Sequence, residues 1–492
     1  MTMQLTRAGE RTDARLFIGG EWVDGPAHLE VRNPAHPDEI VGTIVRGTPA
    51  DVDRAVAAAK AAQPAWAALG FRARAEAIGR GLDRLNEGVH ERSVIYVREN
   101  GKTLEEAGHE LKGLADRLRL SLEHVEELDH MRSIDSPTGR TLIAYRPYGV
   151  IVSIVPWNSP VTLAFNQIVS GLLAGNSVVV KPPESAPLAL IASIEAFARE
   201  LAPGLVNIIT GLPDEIGDAL TTHPDVGKIG FTGSIRAAKH IGSNAAQTIK
   251  SVTLELGGND AAILLEDVDL SDATMDRMAA SVFYMTGQVC MAIKRIYVPE
   301  KIAEAFIAAF RKAANKLVIG DGLDPKVTMG PMHTKLQLER GRAFVDDAVN
   351  RGATVEPVGT IADPELFDTG YFMQPSIVTN IAADAPLVVE EQFCPSVPIV
   401  TYRDLDDVLA RANDTVYGLG GSIWSRDIEK ALELATRVAS GSVWINAHGT
   451  AFINRRAPYG GVKQSGIGRK AGLEGILDYL QLQTISSYEK AG

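Results

Sequence analysis

Two sets of residues in this chain could carry covalent chemistry at a defined place. The first is Cys290, in the run Tyr284-Met-Thr-Gly-Gln-Val-Cys-Met-Ala-Ile-Lys-Arg295. Before it, Met275, Met278, Ala279, Val282 and Phe283 recur at helical spacing, with Gly287 as the expected stop. After it, residues 295–298 are rich in β-branched and aromatic side chains up to Pro299 and read as a strand. The thiol therefore sits in a short helix-to-strand connection, where a scaffold can hold a nucleophile and still expose it. A free cysteine is more often a small buried hydrophobe, and this stretch alone favours that plainer reading. The second set lies at the ends of expected strands: Pro156-Trp-Asn158, Lys181-Pro-Pro-Glu184, Gly211, Phe231-Thr-Gly-Ser234 and Glu255-Leu-Gly-Gly258. Singly, Lys181 reads as a solvated charge, Ser234 as a helix N-cap and Gly257-Gly258 as a turn. No GxGxxG accompanies them, yet ligands of parallel sheets bind at the carboxyl ends of strands, and five consecutive ends share this character.

Those groups need a scaffold, and the pattern supplies one. Strands are expected at 150–155, 177–180, 205–210, 227–231 and 251–256, with helices between them at 161–174, 187–201, 214–222 and 235–248. Such alternation implies parallel strands in right-handed βαβ units. The run Asn176-Ser-Val-Val-Val180 is apolar enough for a strand covered on both faces. A second alternating region opens at 261–265 and includes helices at 301–317 and 334–352 and strand 398–402. It continues through helices 405–413 and 427–438 and strand 442–446, then a Gly-rich loop (458–472) and an extended tail (481–488). Upstream, short extended runs over 16–46 read as a small β-meander. Helices follow from 51 to 69, 72 to 86, 87 to 100 and 103 to 128. Residues 131–146 read as a hairpin turning at Ser136-Pro-Thr-Gly139, either a flap on the surface or an arm that packs on another subunit.

Composition bounds the rest. At 492 residues the chain is too long for one core and should hold two or three domains. A hydrophobic share of 45% with 22% charged residues is that of a globular protein, and a net charge of −12 disfavours nucleic acid and anionic membranes as partners. Residues 1–25 mix charges with few apolar side chains, so no signal-peptide core is expected, and no stretch is long and apolar enough to span a bilayer. With only two cysteines, Cys290 and Cys394, a disulfide framework is not expected and the cytoplasm fits best. Ten histidines without HxxxH or CxxC spacing give no expected metal site.

Taken together, PWN at 156–158, KPxE at 181–184, FTGS at 231–234, ELGG at 255–258, GQxC at 287–290, EExFxP at 390–395 and PxGGxKxSGxGR at 458–469 resemble the NAD(P)-dependent aldehyde dehydrogenase superfamily. The resemblance covers roughly residues 15–490. It implies an α/β fold of two Rossmann-like parallel-sheet domains plus a small β oligomerisation flap. It also implies a hydrolytic enzyme that oxidises an aldehyde to its acid. Cys290 matches the nucleophile, Asn158 the oxyanion donor and Glu255 the general base. The cofactor positions that carry over are Ile154, Pro156, Trp157, Lys181, Glu184, Gly211, Phe231, Gly233, Ser234, Leu256, Gly257, Glu391 and Phe393. A carboxylate at 184 would accept the ribose hydroxyls, so NAD is expected, with NADP admitted because Lys181 would attract its phosphate. The substrate funnel corresponds to Ser159, Thr162, Leu163, Asn166, Tyr284, Met291, Ile453 and Tyr459. This polar lining, with Arg455 and Arg456 nearby, favours a polar or acid-bearing aldehyde.

Four positions depart from the family. Gln167 stands where a lysine is usual and Lys470 where a glutamate is usual; in the resembling enzymes that pair relays the proton of the general base. Both charges have changed, so Glu255 is expected to release its proton by another route. Cys394 replaces a glycine of the ribose clamp, and Ala238 replaces a glycine beside the diphosphate, where it would crowd slightly. The resemblance also implies a cofactor domain (1–130 and 147–258), a catalytic domain (259–457), a C-terminal loop and helix returning to the cofactor domain (458–479) and a flap (131–146 and 480–492). Such chains pair as homodimers or as homotetramers. The rival enzyme reading is a CoA-acylating dehydrogenase, against which Glu255 argues. The rival of another class is a binding or structural protein of the same fold with weak turnover.

Overall fold

The alternating segments close into two separate parallel sheets in a computed structural model that describes residues 11–129 and 132–488. The charged start of the chain through residue 10, residues 130 and 131 at the expected start of the hairpin, and residues 489–492 of the expected tail lie outside the described residues.

The first sheet has eight strands, in the order Gly466–Ile467, Ser251–Glu255, Val226–Thr232, Val150–Ile154, Ser177–Lys181, Val206–Ile208, Leu16–Ile18 and Glu21–Val23. The five central strands are parallel. Ser177–Lys181 is buried along its whole length, which is why its sequence does not alternate. Helices Pro160–Leu173 and Leu188–Ala198 pack over it, and each fully buried Val or Leu there contributes about 1.5–3 kcal/mol. The winding reverses at Val150–Ile154: the next two strands lie on one side of it and the following two on the other. Such a switch point opens a crevice at the carboxyl ends of the strands. Helix starts are specified locally and at a distance. Thr48 and Asp51 form a capping box for helix Pro49–Ala67. The buried Glu99 carboxylate accepts the Leu188 and Ala189 N–H groups (2.7 and 2.9 Å) at the start of Leu188–Ala198.

The second sheet has seven strands, in the order Thr354–Pro357, Ser376–Thr379, Ser396–Tyr402, Ile293–Pro299, Asp260–Leu264, Gly420–Trp424 and Ser442–Ile445. All but the first run parallel. A third, antiparallel sheet joins the hairpin Arg132–Ser136 and Gly139–Pro147 to Leu480–Tyr488. It exposes Ile134, Leu482, Ile485 and Tyr488.

Three segments differ from the sequence reading. The expected meander is divided: Leu16–Ile18 and Glu21–Val23 extend the eight-stranded sheet through Phe17 opposite Ile208, while Thr12–Ala14, His28–Arg32 and Ile40–Val45 form a sheet of their own. Three-residue strands bury too little surface to stand alone, so they join whatever edge is near. The single helix expected over 103–128 is three, Leu104–Leu111, Leu114–Leu122 and Val125–Asp129. Gly113 (φ 68°) takes the left-handed conformation at the first break. Strand Gly420–Trp424 was not anticipated, because glycines weaken the strand pattern. A Cβ at Gly420 would stand 2.2 Å from the Asp260 carboxylate, which is why glycine serves there.

Candidate active site

The loop before Cys290 is held in a costly conformation. The chain leaves helix Asp272–Phe283 through Met285 (φ 51°), Thr286 (φ 59°) and Gly287 (φ 70°). Left-handed non-glycine residues cost on the order of 1–3 kcal/mol each and persist only where the surroundings over-determine them. Here the Met285 N–H donates to Glu106 (2.7 Å) and the Thr286 hydroxyl donates to the Gly330 carbonyl (3.0 Å). A Cβ on Gly287 would lie 2.5 Å from the Cys394 carbonyl oxygen. The result is a half-buried Cys290 at a fixed point on the wall of a cavity of about 1130 Å³.

Asn158 and Glu255 line the same cavity. The Asn158 amide donates to the Gln288 carbonyl (3.0 Å), two residues from the cysteine. Its own carbonyl accepts Lys102 Nζ (3.1 Å), while the Trp157 carbonyl accepts Asn100 (2.7 Å) and the indole stacks on His333 at 4.4 Å. Glu255 ends its strand, is 4% exposed, and leaves Oε1 without a protein partner among the described residues. Burial pushes its carboxyl up to about 7, against the pull of Lys470 and Arg469 and with a push from Asp478. Burial, then the negative charges of Glu391, Asp260 and Glu255, push the Cys290 thiol up to about 12, and Lys294 pulls it back. At rest the thiol holds its proton near neutrality, so attack needs a base; Glu255, about half ionised there, is placed to be one.

Behind Glu255 the two changed positions sit as follows. Gln167 is 1% exposed, and neither atom of its amide has a protein partner among the described residues; the same holds for the Tyr479 hydroxyl. Lys470 is buried, its Nζ donates to Thr232 Oγ1 (2.8 Å), and its backbone pairs in both directions with Tyr459 (2.8 Å each way). Burial and the loss of hydration lower its pKa, while Glu255, Cys290 and Asp478 hold it up.

The remaining strand-end residues are where the alternation places them. Ile154, Pro156 and Trp157 close strand Val150–Ile154, Lys181 and Glu184 follow Ser177–Lys181, and Gly211 follows Val206–Ile208. Phe231, Gly233 and Ser234 end Val226–Thr232, and Leu256 and Gly257 follow Ser251–Glu255. Lys181 pairs with Glu184 at the cleft. Ser234 caps helix Ile235–Ala246 through the Ala237 N–H (3.3 Å). From the loop before strand Ser396–Tyr402, Glu391 accepts the Gly258 N–H (3.0 Å), and Phe393 meets Trp157 edge-on at 5.7 Å. A Cβ at Gly257 would stand 2.2 Å from the Glu391 carboxylate, so only glycine leaves that wall open. A cation–carboxylate pair and a helix start, both at the carboxyl ends of parallel strands, are groups of the kind that bind a dinucleotide.

Two of the four departures pack inward. Cys394 does not occupy the strained position of its loop; Phe393 does, at φ 47°. Cys394 packs with Met332, Leu338 and Met373, and burial pushes its thiol up to about 11. Ala238 turns into the core with Phe231, Ile241 and Ala245, not toward the cleft.

Of the substrate positions, Ser159, Thr162, Leu163, Tyr284, Met291, Ile453 and Tyr459 line the cavity, and Asn166 does not. Its Nδ2 is buried without a protein partner among the described residues. The cavity also takes Arg117, Arg277, His448 and Phe452, which sequence reasoning missed. One signal was available: Arg277, Ser281 and Tyr284 share a helix face that ends at the loop carrying Cys290.

A model of the aldehyde dehydrogenase family matches residues 22–485. Aminoaldehyde dehydrogenase 2, peroxisomal, of Pisum sativum is 34% identical over 488 residues, covering 96% of this chain and 95% of its own. The glutarate-semialdehyde dehydrogenase of Pseudomonas aeruginosa is 34% identical over 482 residues, covering 96% and 98%. The crystal structure of betaine aldehyde dehydrogenase from Staphylococcus aureus in complex with NAD+ superposes with a TM-score of 0.91 at 32% identity, covering 97% of this chain and 95% of that one.

Proposed function

Since the chain belongs to the aldehyde dehydrogenase family, we propose that it oxidises an aldehyde bound covalently at Cys290, with Asn158 and Glu255 completing the catalytic set. The reaction class is NAD-dependent oxidation of an aldehyde. The observation that carries the assignment of residues is the convergence of Cys290, Asn158 and Glu255 on one cavity, from three elements.

Glu255 takes the thiol proton and the thiolate attacks the aldehyde carbonyl, giving a thiohemiacetal. The Asn158 amide and the Cys290 N–H hold the developing oxyanion, each donor contributing roughly 10²–10³ in rate. When bound, NAD supplies the hydride acceptor. Loss of hydride leaves a thioester on Cys290. Glu255, having passed the thiol proton on to water, then removes a proton from a second water; the resulting hydroxide adds to the thioester carbonyl and expels the Cys290 thiolate, releasing the acid. Lys181 and Glu184 would hold the adenosine ribose, the helix start at Ser234 the pyrophosphate, and Glu391 with Phe393 the nicotinamide ribose.

The eight-stranded sheet and its helices form the cofactor domain and the seven-stranded sheet the catalytic domain. The exposed Ile134, Leu482, Ile485 and Tyr488 support pairing of the third sheet with a second copy, as a homodimer or a dimer of dimers. Both cysteines are free thiols, which supports a reducing compartment such as the cytoplasm. No helix among the described residues is long and apolar enough to cross a membrane.

NADH formation from an aldehyde panel, with and without CoA, tests the reading on wild type, Cys290→Ala and Cys394→Ser. Wild type and Cys394→Ser turn over without CoA and Cys290→Ala does not. Turnover by Cys290→Ala, or an absolute need for CoA, would overturn it.

A further inference from the structure

Three guanidinium groups reach the cavity wall from three different elements. Arg117 comes from helix Leu114–Leu122, Arg277 from helix Asp272–Phe283, and Arg455 from the loop after Phe452. None of the three has a carboxylate partner among the described residues. Arg117 donates to the backbone carbonyls of Lys112 (3.0 Å) and Glu110 (2.6 Å). Arg277 reaches only the Thr274 hydroxyl (3.4 Å), and its Nε is buried without a partner. The Arg455 guanidinium makes no hydrogen bond or ion pair among the described residues, only its backbone carbonyl accepting the Gly472 N–H (3.2 Å); burial and then the Arg455 charge lower the Arg117 pKa, against the pull of Glu110, Tyr284 and Asp116.

The carboxylates on this wall are already committed. Glu110 accepts Lys102 Nζ (2.7 Å), the Tyr96 hydroxyl (2.8 Å) and the Thr162 N–H (2.9 Å). Glu255 lies at the reacting end. The neighbouring Arg456, by contrast, points away from the cavity and is satisfied by both oxygens of Glu123 (2.9 Å each). Like charges gathered in a concave site with no carboxylate paired to them are costly, and the cost falls when an anion arrives.

We infer that Arg117, Arg277 and Arg455 form a carboxylate-binding subsite, and that the substrate is an aldehyde bearing a carboxylate at its far end. This rests on the reading of Cys290 as the reacting end of the cavity. Guanidinium forks match a carboxylate with paired hydrogen bonds, and the same three charges repel an aldehyde bearing an ammonium group. The wall thus separates two chemistries of similar size.

The test compares kcat/KM for glutarate semialdehyde, pentanal and betaine aldehyde on wild type, Arg455→Gln and Arg277→Gln. On wild type the acid-bearing aldehyde exceeds pentanal by about tenfold or more, and betaine aldehyde is the poorest. Each variant lowers kcat/KM for the semialdehyde about ten- to hundredfold, mainly through KM, and leaves pentanal within about twofold. Pentanal or betaine aldehyde matching the semialdehyde on wild type, or all three falling alike in the variants, would overturn the inference. Calorimetric binding of glutarate to Cys290→Ala reads the subsite without turnover. Binding lost on adding Arg455→Gln supports it even if Cys290 proves not to be the nucleophile, and unchanged binding refutes it even if Cys290 is.

Discussion

Replacing Lys470 with methionine should move the base limb of the pH profile upward. Its buried ammonium, anchored on Thr232, is the foremost charge holding Glu255 down against burial, and with it present the carboxyl lies at about 7. Only the ionised carboxylate can take a proton from water, so the rate of thioester hydrolysis follows its ionised fraction. At pH 7 that fraction is about one half in the wild type; an upward shift of about one unit leaves about one tenth, and of about two units about one hundredth. Hydrolysis in Lys470→Met should therefore slow about 5-fold to 50-fold at pH 7, and recover above about pH 10. The assay is kcat against pH by NADH formation at saturating NAD and aldehyde, with a pre-steady-state burst to separate hydride transfer from hydrolysis. The wild-type limb bends near 7 and the variant's well above it, with a burst that grows as pH falls. Lys470→Arg, which keeps the charge, should stay near wild type. A variant limb that coincides with wild type, or a loss of rate equal at every pH, would refute the role given to Lys470.

Three further outcomes follow from the geometry. Asn158→Ala should lower kcat about 10²–10³-fold with KM changed little, because its amide acts on the oxyanion and not on the ground state; steady-state kinetics checks this. Gly257→Ala places a methyl 2.2 Å from the Glu391 carboxylate and should weaken NAD binding about tenfold or more, read as Kd by fluorescence titration, with the fold intact by circular dichroism. Glu99→Ala leaves two helix-start N–H groups without their acceptor and should cost about 2–4 kcal/mol in urea unfolding. Burial pushes Glu99 up to about 8, above the unfolded carboxyl, so wild type loses stability as pH rises through that value; the alanine variant should lack that loss.

Much of the scaffold was legible because its signals are local. A run such as Val178–Val180, three valines in a row, reads as the core of a strand covered on both faces, and the helical periods between such runs leave few topologies. The errors fell where a short segment depends on a distant neighbour. The pair Leu16–Ile18 and Glu21–Val23 is drawn to the edge of the large sheet, and Gly420–Trp424 is a strand only because Asp260 and its neighbours lie beside it. In the candidate site, residues at strand ends were readable because the end of a strand is itself a local feature. Arg117 and Arg277 were not, since an arginine on a helix reads as solvated until the facing element is known.

The sequence by itself determined most of the alternation of strands and helices, the grouping of polar residues at strand ends, and the likeness that pointed to Cys290, Asn158 and Glu255. These depend on periodicity and residue type, which are present before the chain folds. Only the tertiary structure decided where the charges face. It turned Arg455 into the cavity and Arg456 out to Glu123, set Lys470 on Thr232, and left Cys394 and Ala238 as packing. The direction of a side chain is set by which partner elements pack against it, and those partners come from segments far away in the chain.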